Sequence, residues 1–290
     1  MSEAAVFASG KGHRDENFPV ASLLIETRFR APIMAFYRFA RAADDIADHP
    51  AAGAEDKLRA LEQMRATLAG AIDAEPSALA LREALVARGL SVQHGLDLLV
   101  AFRRDVTQRR YASWDELMDY CRWSAAPVGR MVLDIHGEAP ATWPASDALC
   151  AALQVINHLQ DCAKDRRALD RVYLPQDELA TAGARVEDLD RPAATPALRT
   201  VIVGLARRTR GLLYRARPLA EQVANARLRV EIAFIQALAE DLVDRLERRD
   251  PLSQRVHHRK LELVGPACVT LARLVRPPSP SIPFPSTERR

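Results

Sequence analysis

Two short stretches of this sequence concentrate carboxylates where a helix would bury them. In "FYRFARAADDIADH", Tyr37, Arg41, Asp44, Asp45 and Asp48 fall at i, i+4, i+7, i+8 and i+11. At 3.6 residues per turn these share one helix face. In "QVINHLQDCAKDRR", Gln154, Asn157, Asp161 and Asp165 fall at i, i+3, i+7 and i+11. Each stretch therefore carries two aspartates at i, i+4 spacing, and such like-charge pairs weaken an isolated helix by roughly 0.2–0.5 kcal/mol. A solvated acidic edge would explain one of them. The neighbours argue otherwise: Phe36, Phe39, Ala43, Ile46 and Ala47 in the first stretch and Val155, Ile156, Leu159 and Cys162 in the second are apolar. Two largely buried helices that each present a carboxylate pair point to a cation between them. All-oxygen ligands suit a hard ion, and Mg²⁺ takes one or two carboxylates together with substrate phosphates. A metal–diphosphate site is the expected chemistry.

The elements that must position these groups read as helices throughout. Ala, Leu and Arg dominate, whereas aromatic residues make up only 6% and glycines number only 12, a mixture that favours helix over sheet. Helices are expected over 19–47, 58–72, 76–88, 91–109, 114–136 with a bend at Pro127, 146–167, 197–215, 218–248 and 253–275. Residues 1–18 read as an irregular arm and 170–197 as a long loop with short helical pieces. No strand pattern and no repeat is found. The expectation is an all-α single domain over residues 1–275, followed by a Pro- and Ser-rich tail, "RPPSPSIPFPSTERR", over 276–290 that reads as disordered.

Composition removes several classes of function. With 41 basic and 38 acidic residues, the net charge of +3 does not point to nucleic acid. The cysteines at 121, 150, 162 and 268 form no Cys-x-x-Cys pair and read as reduced, buried thiols. The N-terminus has no signal-peptide pattern, and no apolar run is long enough to span a bilayer. A cytoplasmic protein is expected, with contact at the inner face of the membrane as a further candidate.

"FYRFARAADDIAD" and "QVINHLQDCAKDRRALDRVYLP" resemble the two aspartate-rich signatures of the squalene and phytoene synthases, and the likeness runs from about Gly12 to Ala272. The resemblance implies the isoprenoid synthase fold with a central cavity, and Mg²⁺ that binds the diphosphate of an isoprenoid. It implies metal ligation by Asp44, Asp48, Asn157, Asp161 and Asp165, and diphosphate contacts from Arg41, Lys164, Arg171 and Tyr173. "DYCRWSAAPVGRMV" is similar to the family's Tyr-Cys helix, which implies that Tyr120 stands near the reacting carbons, with Tyr37 and Arg41 as further catalytic candidates. His13, on the N-terminal arm, is a candidate to close over the diphosphate.

The sequence departs from the common family pattern at Ser124-Ala125-Ala126-Pro127 and in "GHRDENFPVAS". These segments resemble the hydroxysqualene synthase branch of hopanoid biosynthesis. That branch converts presqualene diphosphate, with Mg²⁺, into pyrophosphate and a carbocation that water captures. Asp15 and Glu16 would repel a second diphosphate, which suits a one-diphosphate substrate. Exchange of C30 molecules with the enzymes before and after it in the pathway is an implied partnership. The water-positioning group stays open, with Asp45, His158 and Gln160 unranked. Two rivals remain: a synthase that condenses two prenyl diphosphates, and a non-catalytic paralogue that assembles a complex. Each residue also has a plainer reading: Tyr37 as a packing residue, Arg41 as an ion-pair partner of Asp44 or Asp45, and the tryptophans as core or helix-end packing. The arginine runs 207–210 and 245–249 read as solvated faces, with anionic lipid as an alternative partner.

Overall fold

The computed structural model describes residues 25–258. His13, Asp15, Glu16, the N-terminal arm, Cys268, the helix expected beyond residue 258 and the 276–290 tail lie outside the described residues. Among those residues the chain is helical, and its sole bridge between extended segments joins Arg110 to Val172.

Four helices build the first half: α1 (Thr27–Asp48), α2 (Ala54–Leu68), α3 (Pro76–Val86) and α4 (Gln93–Thr107). The expected helix over 58–72 ends early, because Gly70 takes a left-handed φ of 84° and leaves Ile72 outside it. Glu75 opens α3 by accepting hydrogen bonds from the backbone N–H groups of Ser77 and Ala78. The apolar faces of these helices close one core around Phe36, Phe39, Leu61, Leu81 and Leu99, joined by Met131 and Ile135.

The second half contains α5 (Trp114–Ser124), α6 (Ala126–His136), α7 (Trp143–Gln160), α8 (Cys162–Leu169), α9 (Gln176–Ala182), α10 (Pro196–Ala216), α11 (Leu219–Gln222) and α12 (Ala226–Arg248). Around α7, which packs against α6, α10 and α12, a second core forms from residues such as Leu149, Ile156, Ile202, Leu205 and Val243.

Three expected helices are each divided in two. The 114–136 helix breaks at Ala125 rather than bending, and Pro127 sits in the first turn of α6, where its missing N–H has no partner to lose. The 146–167 helix stops at Asp161, whose φ and ψ of −102° and 7° separate α7 from α8. The 218–248 helix is interrupted at 223–225, where Asn225 caps α12 by accepting from the N–H groups of Arg227 and Leu228. Residues 253–258 are not helical. They follow a turn in which the Asp250 carboxylate accepts from Ser253 Oγ and from the N–H groups of Leu252 and Ala194. Cys121, Cys150 and Cys162 are free thiols. No described helix is long and apolar enough to cross a membrane.

Candidate active site

The two cores meet where the C-terminal turns of α1 face α4, α5, α7 and α8. A cavity of about 270 Å³ lies there, walled by Asp44 and Asp48 of α1, Asp105 of α4, Tyr120 of α5, His158 of α7 and Asp165 of α8, with Arg171 and Tyr173 from the segment after α8. A second cavity of about 470 Å³ runs between α1, α6, α7 and α12 and is largely apolar, with Phe36, Val132, Leu153 and Ile232 in its wall. Asp44 and Phe102 line both. The polar chamber and the apolar one therefore meet at a carboxylate.

Two arginines hold the acidic groups in place. Arg41 donates to Asp44 at 2.9 Å and to Asp45 at 2.7 Å. The buried guanidinium of Arg171 donates to Asp48 at 2.6 Å, to the Asp105 carbonyl at 3.1 Å and to the Ala47 carbonyl at 3.4 Å. Asp105 in turn accepts from the Tyr120 hydroxyl at 2.9 and 3.0 Å and from the Tyr173 hydroxyl at 3.4 Å. The His158 ring stacks on Tyr173 with 3.5 Å between centroids. Burial depresses the His158 pKa to about 3, with the positive charge of Arg171 acting the same way, so the ring is neutral near pH 7.

Negative charge is in excess here. Burial, reinforced by Asp48, pushes Asp44 up to about 7. Burial and Asp161 do the same to Asp165, also to about 7. Burial raises Asp105 to about 6 against the opposing effect of Arg171. Such crowding is what a cation would relieve.

The family model for squalene/phytoene synthase matches residues 12–262. This chain belongs to the squalene/phytoene synthase family. A hydroxysqualene synthase of Zymomonas mobilis is 54% identical over 93% of this chain and 91% of its own. The squalene synthase HpnC of Alicyclobacillus acidocaldarius shares 32% identity with a TM-score of 0.65, covering 87% of this chain and 86% of that one. A dehydrosqualene synthase solved with a ligand aligns with a TM-score of 0.77 at 18% identity, over 90% of this chain and 92% of its own, which speaks to fold alone. The all-α isoprenoid synthase fold expected from the sequence is the fold found.

Within this family member, the residues singled out by sequence do not all converge. Asp44, Asp48, Tyr120, Asp165, Arg171 and Tyr173 line the polar chamber, while Tyr37 and Arg41 line the apolar one. Asn157 and Asp161 line neither. The break after α7 turns Asp161 toward Lys164 at 3.5 Å and His257 at 3.7 Å. Lys164 is largely exposed. Among the described residues, no three His, Cys, Asp or Glu side chains gather closely enough to enclose a metal ion. Arg41 and Arg171 draw Asp44 and Asp48 to themselves instead. The donor set still suits a hard divalent ion: it is all oxygen, its carboxylates outnumber the two arginines that pair with them, and Mg²⁺ leaves most of its shell to phosphate and water.

Asp105 is the residue that sequence reasoning missed. Its signal was present, because Leu98, Ala101, Phe102 and Asp105 fall at i, i+3, i+4 and i+7 on the face of α4 that walls the chamber. A carboxylate in an apolar stripe marks a polar pocket. Of the unranked groups, His158 lines the polar chamber, whereas Asp45 is tied to Arg41 and Gln160 is buried outside both cavities.

Proposed function

We propose that this enzyme is a hydroxysqualene synthase, a carbon–oxygen lyase acting on presqualene diphosphate. The observation that carries the reading is the junction at Asp44, where a carboxylate-rich chamber opens onto an apolar cavity. The shape suits a substrate with one diphosphate and long hydrocarbon arms. The identity to the hydroxysqualene synthase of Zymomonas mobilis supports that choice within the family.

In this reading Asp44, Asp48 and Asp165 would hold Mg²⁺, and Asn157 and Asp161, which line neither cavity, would join them only by virtue of the second motif. The bound ion supplies positive charge to the departing diphosphate oxygens. Arg41 and Arg171 stand at the same end and bind the diphosphate, with Lys164 and Tyr173 as further contacts. Tyr120 and Tyr173 both donate to Asp105, which holds their rings against the chamber. The apolar walls exclude bulk water while the hydrocarbon cation rearranges, and tyrosine faces attract its charge. A domain spanning residues 1–275 with a 276–290 tail is part of the proposal, supported by the extent of the family match. So is work in the cytoplasm at the inner membrane face, where the C30 substrate and product dissolve and pass between neighbouring enzymes of the pathway.

The test is incubation of the purified protein with Mg²⁺ and presqualene diphosphate, without NADPH, with products identified by mass spectrometry. Hydroxysqualene and pyrophosphate are expected, and a parallel reaction with farnesyl diphosphate should yield nothing. Condensation of farnesyl diphosphate would replace this reading with a two-substrate synthase, and silence in both would leave a non-catalytic member.

A further inference from the structure

A third cavity, of about 290 Å³, lies behind the ion pair of Arg171 and Asp48. It is bounded by the end of α1, the first turn of α2, and the last turns of α4 and α8 with the residues that follow them. Asp48, Asp105, Leu169 and Arg171 belong both to its wall and to that of the polar chamber. The apolar cavity shares no lining residue with it. A polar void that adjoins the diphosphate end, and has no wall in common with the hydrocarbon cavity, suits a small ion rather than a prenyl chain.

The wall gathers cations: Lys57, Arg109, Arg167 and Arg171. The carboxylates around it do not match them one for one. Asp48 is taken by Arg171. Asp170 is shared by three arginines, Arg109 at 3.2 Å, Arg110 at 2.7 Å and Arg166. Lys57 directs its Nζ to the Ala47 carbonyl at 3.0 Å, which uses one of its three N–H donors. Neither Lys57 nor the exposed Arg167 forms an ion pair among the described residues. Lys57 also closes the first turn of α2, where its N–H bonds the Gly53 carbonyl at 3.1 Å, and that end of a helix favours anions over cations. Burial and the positive charges of Arg171 and Arg109 lower its affinity for a proton. Capping the end of α1 would account for Lys57 alone, but not for the unpaired Arg167. Cations crowded around a void in this way are what a multivalent anion relieves.

We infer that this cavity is a second pyrophosphate site, a station that the released ion occupies after it leaves the polar chamber. The inference rests on the function proposed above for the source of the ion. Pyrophosphate carries charge at both ends, and ammonium and guanidinium groups bind its oxygens through charge-assisted hydrogen bonds. Arg171 stands in both walls, so an ion released on the chamber side meets the next cations without crossing an apolar layer. A prenyl diphosphate is kept from the station by its hydrocarbon, which has its own cavity on the other side of Asp44.

The experiment titrates sodium pyrophosphate into the full chain in a chelating buffer and reads the heat of binding. Without Mg²⁺ the excess carboxylates of the chamber repel the ion, so binding reports on the cavity behind Arg171. Wild type should bind pyrophosphate at least about tenfold more tightly than inorganic phosphate, which offers fewer oxygens to the same cations. Lys57→Met and Arg167→Met should each weaken binding at least about tenfold, the effect of one lost charge-assisted hydrogen bond. Arg215→Met, which removes an exposed arginine of α10, should bind as wild type does. Because Lys57 and Arg167 hold no carboxylate, both variants should melt close to wild type, so a loss of binding there is not a loss of fold. Wild type that binds no pyrophosphate overturns the inference, as does unchanged binding in both variants. Equal weakening by Arg215→Met, or equal affinity for phosphate and pyrophosphate, overturns it as well. The titration contains no prenyl substrate, so a chain that makes no hydroxysqualene would overturn the proposed function and leave this result standing.

Discussion

Asp165 is held protonated to about pH 7, above the ordinary carboxylate value of 3.8, by burial and by Asp161. The folded protein therefore keeps a proton on this group over a range in which the unfolded chain has released it. Stability contributed by the site falls as pH rises from about 4 to about 7 and stays low above. Asp165→Asn removes that penalty. In a chelating buffer, the gap in urea midpoint between variant and wild type should move in favour of the variant between about pH 5 and about pH 8. Adding Mg²⁺ should cancel the gain, because the ion uses the negative charge that the variant lacks. The same charge is expected to serve turnover. Asp48→Asn and Asp161→Asn should each lower pyrophosphate release by at least about 100-fold, since losing several kcal/mol of charge stabilisation has that effect. Near-normal release from Asp161→Asn would remove that residue from the metal set. Asp161 deserves the separate test because it lines neither cavity, in contrast to Asp48.

At the scale of elements, the close approach of α6 to α7 shapes the apolar cavity. A Cβ on Gly129 would stand 2.4 Å from Ser146 Oγ and 2.5 Å from Cys150 Sγ, and all three residues line the cavity. Gly129→Ala should cost about 1–3 kcal/mol, the usual effect of overpacking, read as a lower urea midpoint. Adding Ser146→Ala and Cys150→Ala removes both clashing atoms and should restore most of it. The need for glycine here was not legible in the sequence, because it arises from a neighbour on another helix. Helix existence was legible from periodicity, and of the two aspartate motifs Asp44, Asp48 and Asp165 line the polar chamber whereas Asn157 and Asp161 do not. The breaks were harder to read. Pro127 looks like a bend in a continuous pattern, yet it tolerates a fresh helix start equally well. Asn225 is a capping residue embedded in helix formers on both sides, and Asp161 offers no local signal at all. Asp105 lay in plain view as an acid in an apolar stripe, but one carboxylate without a partner motif draws little notice. Its importance comes from Tyr120 and Tyr173, which only the fold brings to it.

For the whole molecule, the buried guanidinium of Arg171 spans the seam between the two cores in its pair with Asp48. Arg171 follows α8 in the second half, and Asp48 ends α1 in the first. The same guanidinium also bonds the carbonyls of Ala47 and Asp105, on α1 and α4. It is buried, and its loss would strand Asp48 and Asp105 close together without compensation. Arg171→Met should therefore destabilise the fold by about 2–5 kcal/mol, the range for removing one partner of a buried charged pair. Arg171→Lys should recover little, because a single ammonium cannot reproduce a planar fork reaching three acceptors on two helices. The prediction separates a structural tie from a surface salt bridge. Arg210, which pairs with Asp244 and Glu247 across α10 and α12, is half exposed, and Arg210→Met should change stability by less than about 1 kcal/mol. Comparable losses in both variants, measured by urea unfolding, would mean that Arg171 does not join the halves. A large loss confined to Arg171 would place the residue expected to bind diphosphate among those that hold the two cores together, so that its activity data must be read only on protein shown to be folded.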